Sequence, residues 1–363
     1  MRSPKKKKRK ALRRILRDHL GKNLPFVLYR KPGARYMTAI LQSDRTLETA
    51  LDFDRPGFVM APFLPEKAPL VFLRPDALYC SKSKPAVAPL ELAEPHANPI
   101  SREIHIKLVQ EAKEHIEKGE FKKVVVSRRY SVPIKVDIVS LAFRMIQAYP
   151  QAFGYLFHHP DIGTWMGATP ELLLRSQSGI GETVALAGTR SSDPTEKSSM
   201  WTPKELYEQQ VVTDFILKQM KASGLKPETG PVENFRAGKL WHLSTSVRAP
   251  LPPDKAEALL RKLHPTPAVC GLPRDKTKSF ISTYENYNRE YYTGFLGEVG
   301  IDAPDSFETF VNLRCIQIRN GRAYLYMGGG ITTDSDPESE WEETQQKSTT
   351  MLSLLENSSK AIG

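Results

Sequence analysis

FGYLFHHPDIGTWMGATPELLLR, residues 153–175, reads as two strands, a turn between them, and the start of a third strand. "FGYLFHH" and "TWMGAT" flank Pro160-Asp161-Ile162-Gly163, the signal of a hairpin, and "ELLLR" continues the strand pattern. Just upstream, Asp137 is positioned to cap a helix that stops at Pro150. KVVVSRRYSV, Lys123 to Val132, is a β-branched run and reads as another strand. Ser101 can cap a helix whose Ile104, Leu108, Val109, Ala112 and Ile116 share a face, with Gly119 closing it. Nearer the N-terminus, "LPFVLYR" and "RYMTAIL" are strand-like and separated by Lys31-Pro32-Gly33. Nine prolines between Pro56 and Pro99 restrict that stretch to edge strands and loops, ending in a boundary near residue 98. Strands grouped in hairpins with long helices between the groups predict an α+β fold on antiparallel sheets.

The charge is unevenly placed. The chain of 363 residues holds 52 Lys and Arg against 41 Asp and Glu, a net +11. Ten of the basic residues lie between Arg2 and Arg17, so the remainder is nearly neutral, with 42 against 41. A neutral body argues against a protein whose whole surface grips nucleic acid, which is therefore not expected as its partner. The run SPKKKKRK does resemble a nuclear-localisation signal and keeps a basic-tail nucleic-acid-binding protein as a reading from a different class. Lys10 to Leu20 can form a short amphipathic helix, with Leu12, Ile15, Leu16 and Leu20 on one side. No apolar run approaches membrane-spanning length. Three scattered cysteines, Cys80, Cys270 and Cys315, suggest neither a disulfide framework nor a zinc site, and point to the cytoplasm.

Two helices carry acids that need a reason. The first opens with the capping box Thr202-Pro203-Lys204-Glu205, and Glu208 falls among Val211, Val212 and Phe215 in its inward stripe. The second opens at Ser335-Asp336-Pro337-Glu338. There Glu340, Glu343 and Lys347 share a face beside Trp341, Leu352 and Leu355. A carboxylate in an apolar stripe is costly to bury unpaired, and a cation between two such helices would remove that cost.

Ten segments now resemble one family in their order: FKKVVVSR, GATPELLLR, ALAGTR, KELYEQQVV, WHLSTSV, LHPTPAVCGLP, YENYNREYYTGFLGEVG, VNLRCIQI, MGGGI and SDPESEWEETQQKS. The family is that of the chorismate-utilising enzymes, among them isochorismate, salicylate, anthranilate and aminodeoxychorismate synthases. The resemblance covers about residues 98–356 and implies two packed antiparallel sheets with helices on the outside. The chain then divides into a basic extension (1–20), a Pro-rich part adding strands to the same fold (21–97) and a chorismate-binding catalytic core (98–363).

What the resemblance implies for the chemistry follows from what attacks the ring. Members that add water carry a lysine placed like Lys123, whereas the nucleophilic lysine of aminodeoxychorismate synthase falls at Ala187 here. Strand alternation sends the rival Lys122 to the other face. The implied activity is Mg²⁺-dependent conversion of chorismate to isochorismate, for a quinone or a siderophore pathway, without an obligatory glutaminase partner and as a monomer or weak dimer. Salicylate synthase, which goes on to eliminate pyruvate, is the alternative; anthranilate and aminodeoxychorismate synthases come after it. In this reading Lys123 activates water for attack at C2, and Glu171 protonates the departing 4-hydroxyl. Glu208 and Glu343, with Glu340 assisting, bind Mg²⁺. Arg314 and the backbone of Gly328-Gly329-Gly330 hold the enolpyruvyl carboxylate, and Lys347 adds charge nearby. Gly188 with Thr189, and His242 with Thr245, contact the ring. Gln209 stands where the family commonly has histidine, Cys270 where glycine or serine is frequent, and GGGI replaces the commoner Gly-Ala-Gly-Ile.

Overall fold

The computed structural model describes residues 3–84, 99–190, 201–237 and 240–360. With elements numbered in chain order, a ten-stranded sheet runs β1 (Lys5–Lys6), β6 (Ala77–Lys82), β3 (Tyr36–Leu41), β2 (Phe26–Arg30), β8 (Phe153–His159), β9 (Gly163–Thr169), β17 (Cys315–Arg319), β18 (Arg322–Ile331), β7 (Lys123–Pro133) and β14 (Gly271–Leu272). An eight-stranded sheet runs β12 (Glu228–Ala237), β13 (Leu240–Pro250), β11 (Ile180–Arg190), β10 (Leu172–Gln177), β16 (Phe307–Val311), β15 (Phe295–Val299), β4 (Gly57–Ala61) and β5 (Val71–Leu73). Every pairing is antiparallel except the two-residue contact of β1 with β6. The helices are α1 (Arg9–Gly21), α2 (Pro99–Glu117), α3 (Ile138–Ala148), α4 (Pro203–Ala222), α5 (Pro253–Leu263), α6 (Arg274–Tyr284) and α7 (Pro337–Lys360).

The hairpin of residues 153–169 lies near the middle of the larger sheet and is buried on both faces. Phe153, Tyr155 and Phe157 meet Phe58, Leu296 and Phe310 of the other sheet, while Leu156 joins Leu141, Ile146 and Met351 under the helices. A strand covered on both sides reads as a continuous apolar run, which is why FGYLFHH shows little alternation. On the far side of the smaller sheet, Val212 and Ile216 of α4 and Leu259 and Leu260 of α5 close a second core.

Of the five prolines between 56 and 75, four fall at strand ends and Pro65 lies in the turn between β4 and β5, so they spare the ladder. Pro56 precedes β4, Pro62 follows it, and Pro69 and Pro75 flank β5. As a result β4 and β6 are interior strands and only β5 is an edge, contrary to the expectation of edge strands throughout. The expected boundary near 98 lies outside the described residues. Helix α2 starts at Pro99, so Ser101 sits in its first turn and is not its cap. Ile104 is 46% exposed, and His105, 1% exposed, takes the inward position beside Trp341. Asp137 caps α3 as expected, accepting from Ser140 N at 2.8 Å. The capping box of α4 is present. At α7, Asp336 is the cap, accepting from Ser339 N at 2.9 Å, and Ser335 donates instead to Glu340. The three cysteines are buried and free. No helix among the described residues is long and apolar enough to cross a membrane.

Candidate functional site

The chain passes from one sheet to the other twice in neighbouring places, and both passages carry a charged residue of the candidate site. Between β9 and β10 lies Glu171, whose carbonyl accepts from Val311 N at 2.9 Å. Between β16 and β17 lies Arg314, whose carbonyl accepts from Ala168 N at 3.2 Å. Arg314 adopts φ 45°, a region non-glycine residues rarely occupy and one often held at functional sites.

Glu171 is 7% exposed. Burial pushes its carboxyl up to about 7, only partly opposed by the charge of Lys123. Lys123 is the first residue of β7 and faces α4, its Nζ 3.6 Å from Glu208. Lys122 points to solvent. Next to β7, the end of β18 is held in register, with Gly330 opposite Val125 and Gly328 opposite Ser127. A Cβ at Gly330 would stand 2.8 Å from Lys123 Cε, so this glycine makes room for the lysine stem. A Cβ at Gly329 would stand 2.9 Å from Glu340 Oε2, on the opposite face of the strand. Strand β17 pairs with β18 only as far as Leu325, and beyond it Gly328 O accepts from Lys347 Nζ at 2.8 Å. Lys347 also pairs with Glu343 at 2.6 Å.

The opposite wall comes from the smaller sheet. β11 bulges between Ala187 and Arg190, and Gly188 there has φ 70° with Glu205 of α4 closely behind it. Gly188 O lies 3.0 Å from His242 Nδ1, so this nitrogen must donate. Burial first, then the charges of Arg314 and Lys347, hold His242 down at about 4, so the ring is neutral near pH 7 and Nε2 is its acceptor. Thr245 is buried and accepts from Gln209 Nε2 at 3.0 Å; the same amide donates to Ala185 O at 2.9 Å. The side chain of Thr189 lies outside the described residues.

Glu208 differs from the sequence expectation. The buried stripe of α4 is Gln209, Val212, Ile216 and Met220, and Glu208 sits at its margin beside Lys123. The three candidate ligands are likewise distributed: Glu208 on Lys123, Glu343 on Lys347 and Glu340 on Ser335. Among the described residues no three acids, histidines or cysteines form a ready-made metal cluster. The donors are carboxylates only, which suits a hard divalent ion that keeps waters and takes few protein ligands.

A group the sequence reading assigned no role lies behind β7. Glu285 accepts from Ser127 N at 2.7 Å and from Ser127 Oγ, and pairs with Arg289 at 2.5 Å, both side chains almost fully buried. Arg289 in turn donates to Val125 O at 2.7 Å. This clamp fixes the strand that begins with Lys123. Its only signal in sequence was an i,i+4 Glu–Arg pair within YENYNREYY, which looks the same as a solvated surface pair. Arg289→Leu should cost about 3–5 kcal/mol by leaving Glu285 buried and unpaired; urea unfolding measures it, and a change under 1 kcal/mol would refute the clamp.

A buried acid at a crossover, a lysine within its field and an arginine without an acid partner among the described residues suit an anionic ligand. The chain belongs to the chorismate binding enzymes, whose family model matches residues 79–353. It is 30% identical over 261 residues to isochorismate synthase MenF of Escherichia coli K12, covering 69% of this chain and 59% of that protein. It is 31% identical over 285 residues to isochorismate synthase DhbC of Bacillus subtilis, covering 69% and 70%. The chain thus spans about three fifths of the E. coli relative, with 59% covered. The crystal structure of Bacillus anthracis DhbC, assigned as a 2,3-dihydroxybenzoate-specific isochorismate synthase, superimposes with a TM-score of 0.78 at 25% identity, covering 94% of this chain and 98% of that one.

Proposed function

We propose that the protein is an isochorismate synthase, adding water at C2 of chorismate as the 4-hydroxyl leaves. The observation that carries this reading is Glu171: a carboxyl that burial pushes up to about 7, within the field of Lys123, supplies a proton donor near neutrality. Hydroxide is a poor leaving group, so the donor must still hold its proton near neutrality, and burial achieves this. Lys123 takes the proton of the attacking water, which requires it to be neutral and its contact with Glu208 to loosen. Ala187, where a covalent mechanism would need an amine, disfavours a nucleophilic lysine. Arg314 binds a substrate carboxylate through its planar fork, with Lys347 beside it. Neutral His242 offers Nε2 as an acceptor to a ring hydroxyl.

Charge balance supports a divalent ion. With Lys123 neutral as the base, Arg314 and Lys347 offset two of the three carboxylates Glu208, Glu340 and Glu343, so a dianionic substrate leaves the site three negative charges in excess. Glu208 and Glu343, with Glu340, would hold Mg²⁺. When bound it would fix the C1 carboxylate and draw negative charge from the ring. Dialysis against EDTA is expected to abolish turnover and Mg²⁺ to restore it, read as isochorismate formed per minute; full activity after chelation would remove the metal from the proposal.

The deciding experiment is incubation of purified protein with chorismate and Mg²⁺, with products separated by chromatography. Isochorismate is expected. Stoichiometric salicylate would favour the salicylate synthase alternative, and ammonia-dependent anthranilate would overturn both.

A further inference from the structure

In sequence the basic N-terminus reads as an appendage, but the fold builds it into a groove. Lys5 and Lys6 add to the edge of the larger sheet opposite Tyr79 and Cys80, and Lys7 N donates to Cys80 O at 2.8 Å. Helix α1 docks through Leu12 and Leu16, both fully buried, against the core under α3. These contacts bring the tail alongside Lys82 and Lys84 at the end of β6. The resulting groove is about 920 Å³; nine of its twelve lining residues are Lys or Arg, and no acid among the described residues lines it. Of those nine, only Arg17 has an acid partner among the described residues, Asp137 at 2.8 Å. Arg13 is held below its ordinary value by burial first and then by Arg9 and Arg17, with Asp137 opposing them, so the crowded cations outweigh the one nearby acid. Tyr36, 42% exposed, pairs with Lys82 across strands β3 and β6 and lines the same groove.

We propose that this groove binds the phosphodiester backbone of a single-stranded nucleic acid, with Tyr36 as a stacking surface for a base. The cations are strung along an extended segment and a helix instead of converging on one point, which suits a linear polyanion better than a small anion. The apolar face of α1 is spent on the protein core and is unavailable to enter a bilayer, which disfavours a membrane surface. The groove shares no residue with the candidate active site, so the inference stands apart from the proposed enzyme activity.

The test is fluorescence anisotropy of a labelled 20-nucleotide single strand with the full chain at 50, 100 and 200 mM NaCl. Binding is expected, with a log–log salt slope of about −3 if four phosphates are neutralised. The combined Lys5→Gln, Lys6→Gln, Lys7→Gln and Lys8→Gln variant should weaken binding at least tenfold and flatten the slope. Lys82→Gln with Lys84→Gln should weaken it severalfold, and Tyr36→Ala about 5- to 100-fold. Unchanged melting temperatures show that these variants fold. The proposal is overturned by absence of binding at 50 mM NaCl, or by affinity unchanged in folded lysine variants. Displacement by tripolyphosphate at equal phosphate concentration would reassign the groove to a small anion; tighter binding to phosphatidylglycerol vesicles would reassign it to a membrane.

Discussion

Lys123→Ala is expected to lower kcat for isochorismate formation by about 10²- to 10⁴-fold, the contribution of a positioned general base. The effect is specific to this lysine. Lys123 starts β7, faces α4 and influences the carboxyl of Glu171, whereas Lys122 points to solvent. Lys122→Ala should therefore retain full kcat. The same comparison tests the strand register: Gly330 leaves space for the Lys123 stem, with only 2.8 Å between its notional Cβ and Lys123 Cε. Product chromatography at pH 7.5 gives the readout, and an active Lys123→Ala enzyme would remove the lysine from the mechanism.

Glu171→Gln should reduce kcat over the same range, because an amide cannot deliver the proton that the leaving hydroxyl needs. Its pH behaviour adds a second test. Only protonated Glu171 is competent, so it contributes a fall in kcat/KM as pH rises through about 7 in the wild type. Stability carries the matching signature. The folded carboxyl, near 7, binds its proton more tightly than the ordinary carboxyl at 4.5, so its stability contribution is present below 4.5 and is lost as pH rises through about 7. Glu171→Gln should thus melt above the wild type at pH 8 and close to it at pH 4. Equal melting temperatures at both pH values would show that Glu171 is not the desolvated acid described here.

Much of the frame was legible because it rests on local rules. The 153–169 hairpin has a turn of its own, α3 and α4 have caps with side-chain oxygens, and β7 is a β-branched run. Where the pattern depended on neighbours it misled. Pro56, Pro62, Pro69 and Pro75 suggested edges, yet lying at strand ends they allow β4 and β6 to be interior. Ile104 appeared to belong to the buried face of α2, but His105 is turned inward because Trp341 of α7 lies there. Glu208 was placed within an apolar stripe whose true centre is Gln209, one residue and 100° away.

The sequence by itself determined the 153–169 hairpin, the caps of α3 and α4, the β-branched strand β7, the family resemblance and the residue types of the candidate site. Their side chains bear chemistry wherever the chain goes, and turns and caps are settled within a few residues. Only the tertiary structure decided that Glu171 and Arg314 occupy neighbouring crossovers between the sheets, that Glu285 and Arg289 clamp β7, and that the basic N-terminus lines a groove with Lys82 and Lys84. The groove exists because strand pairing and the docking of α1 bring distant segments together, and the first two features share a further reason. Desolvation, which lifts Glu171 and makes the Glu285–Arg289 pair costly to break, is produced by residues far apart in the chain and exists only once the two sheets have closed.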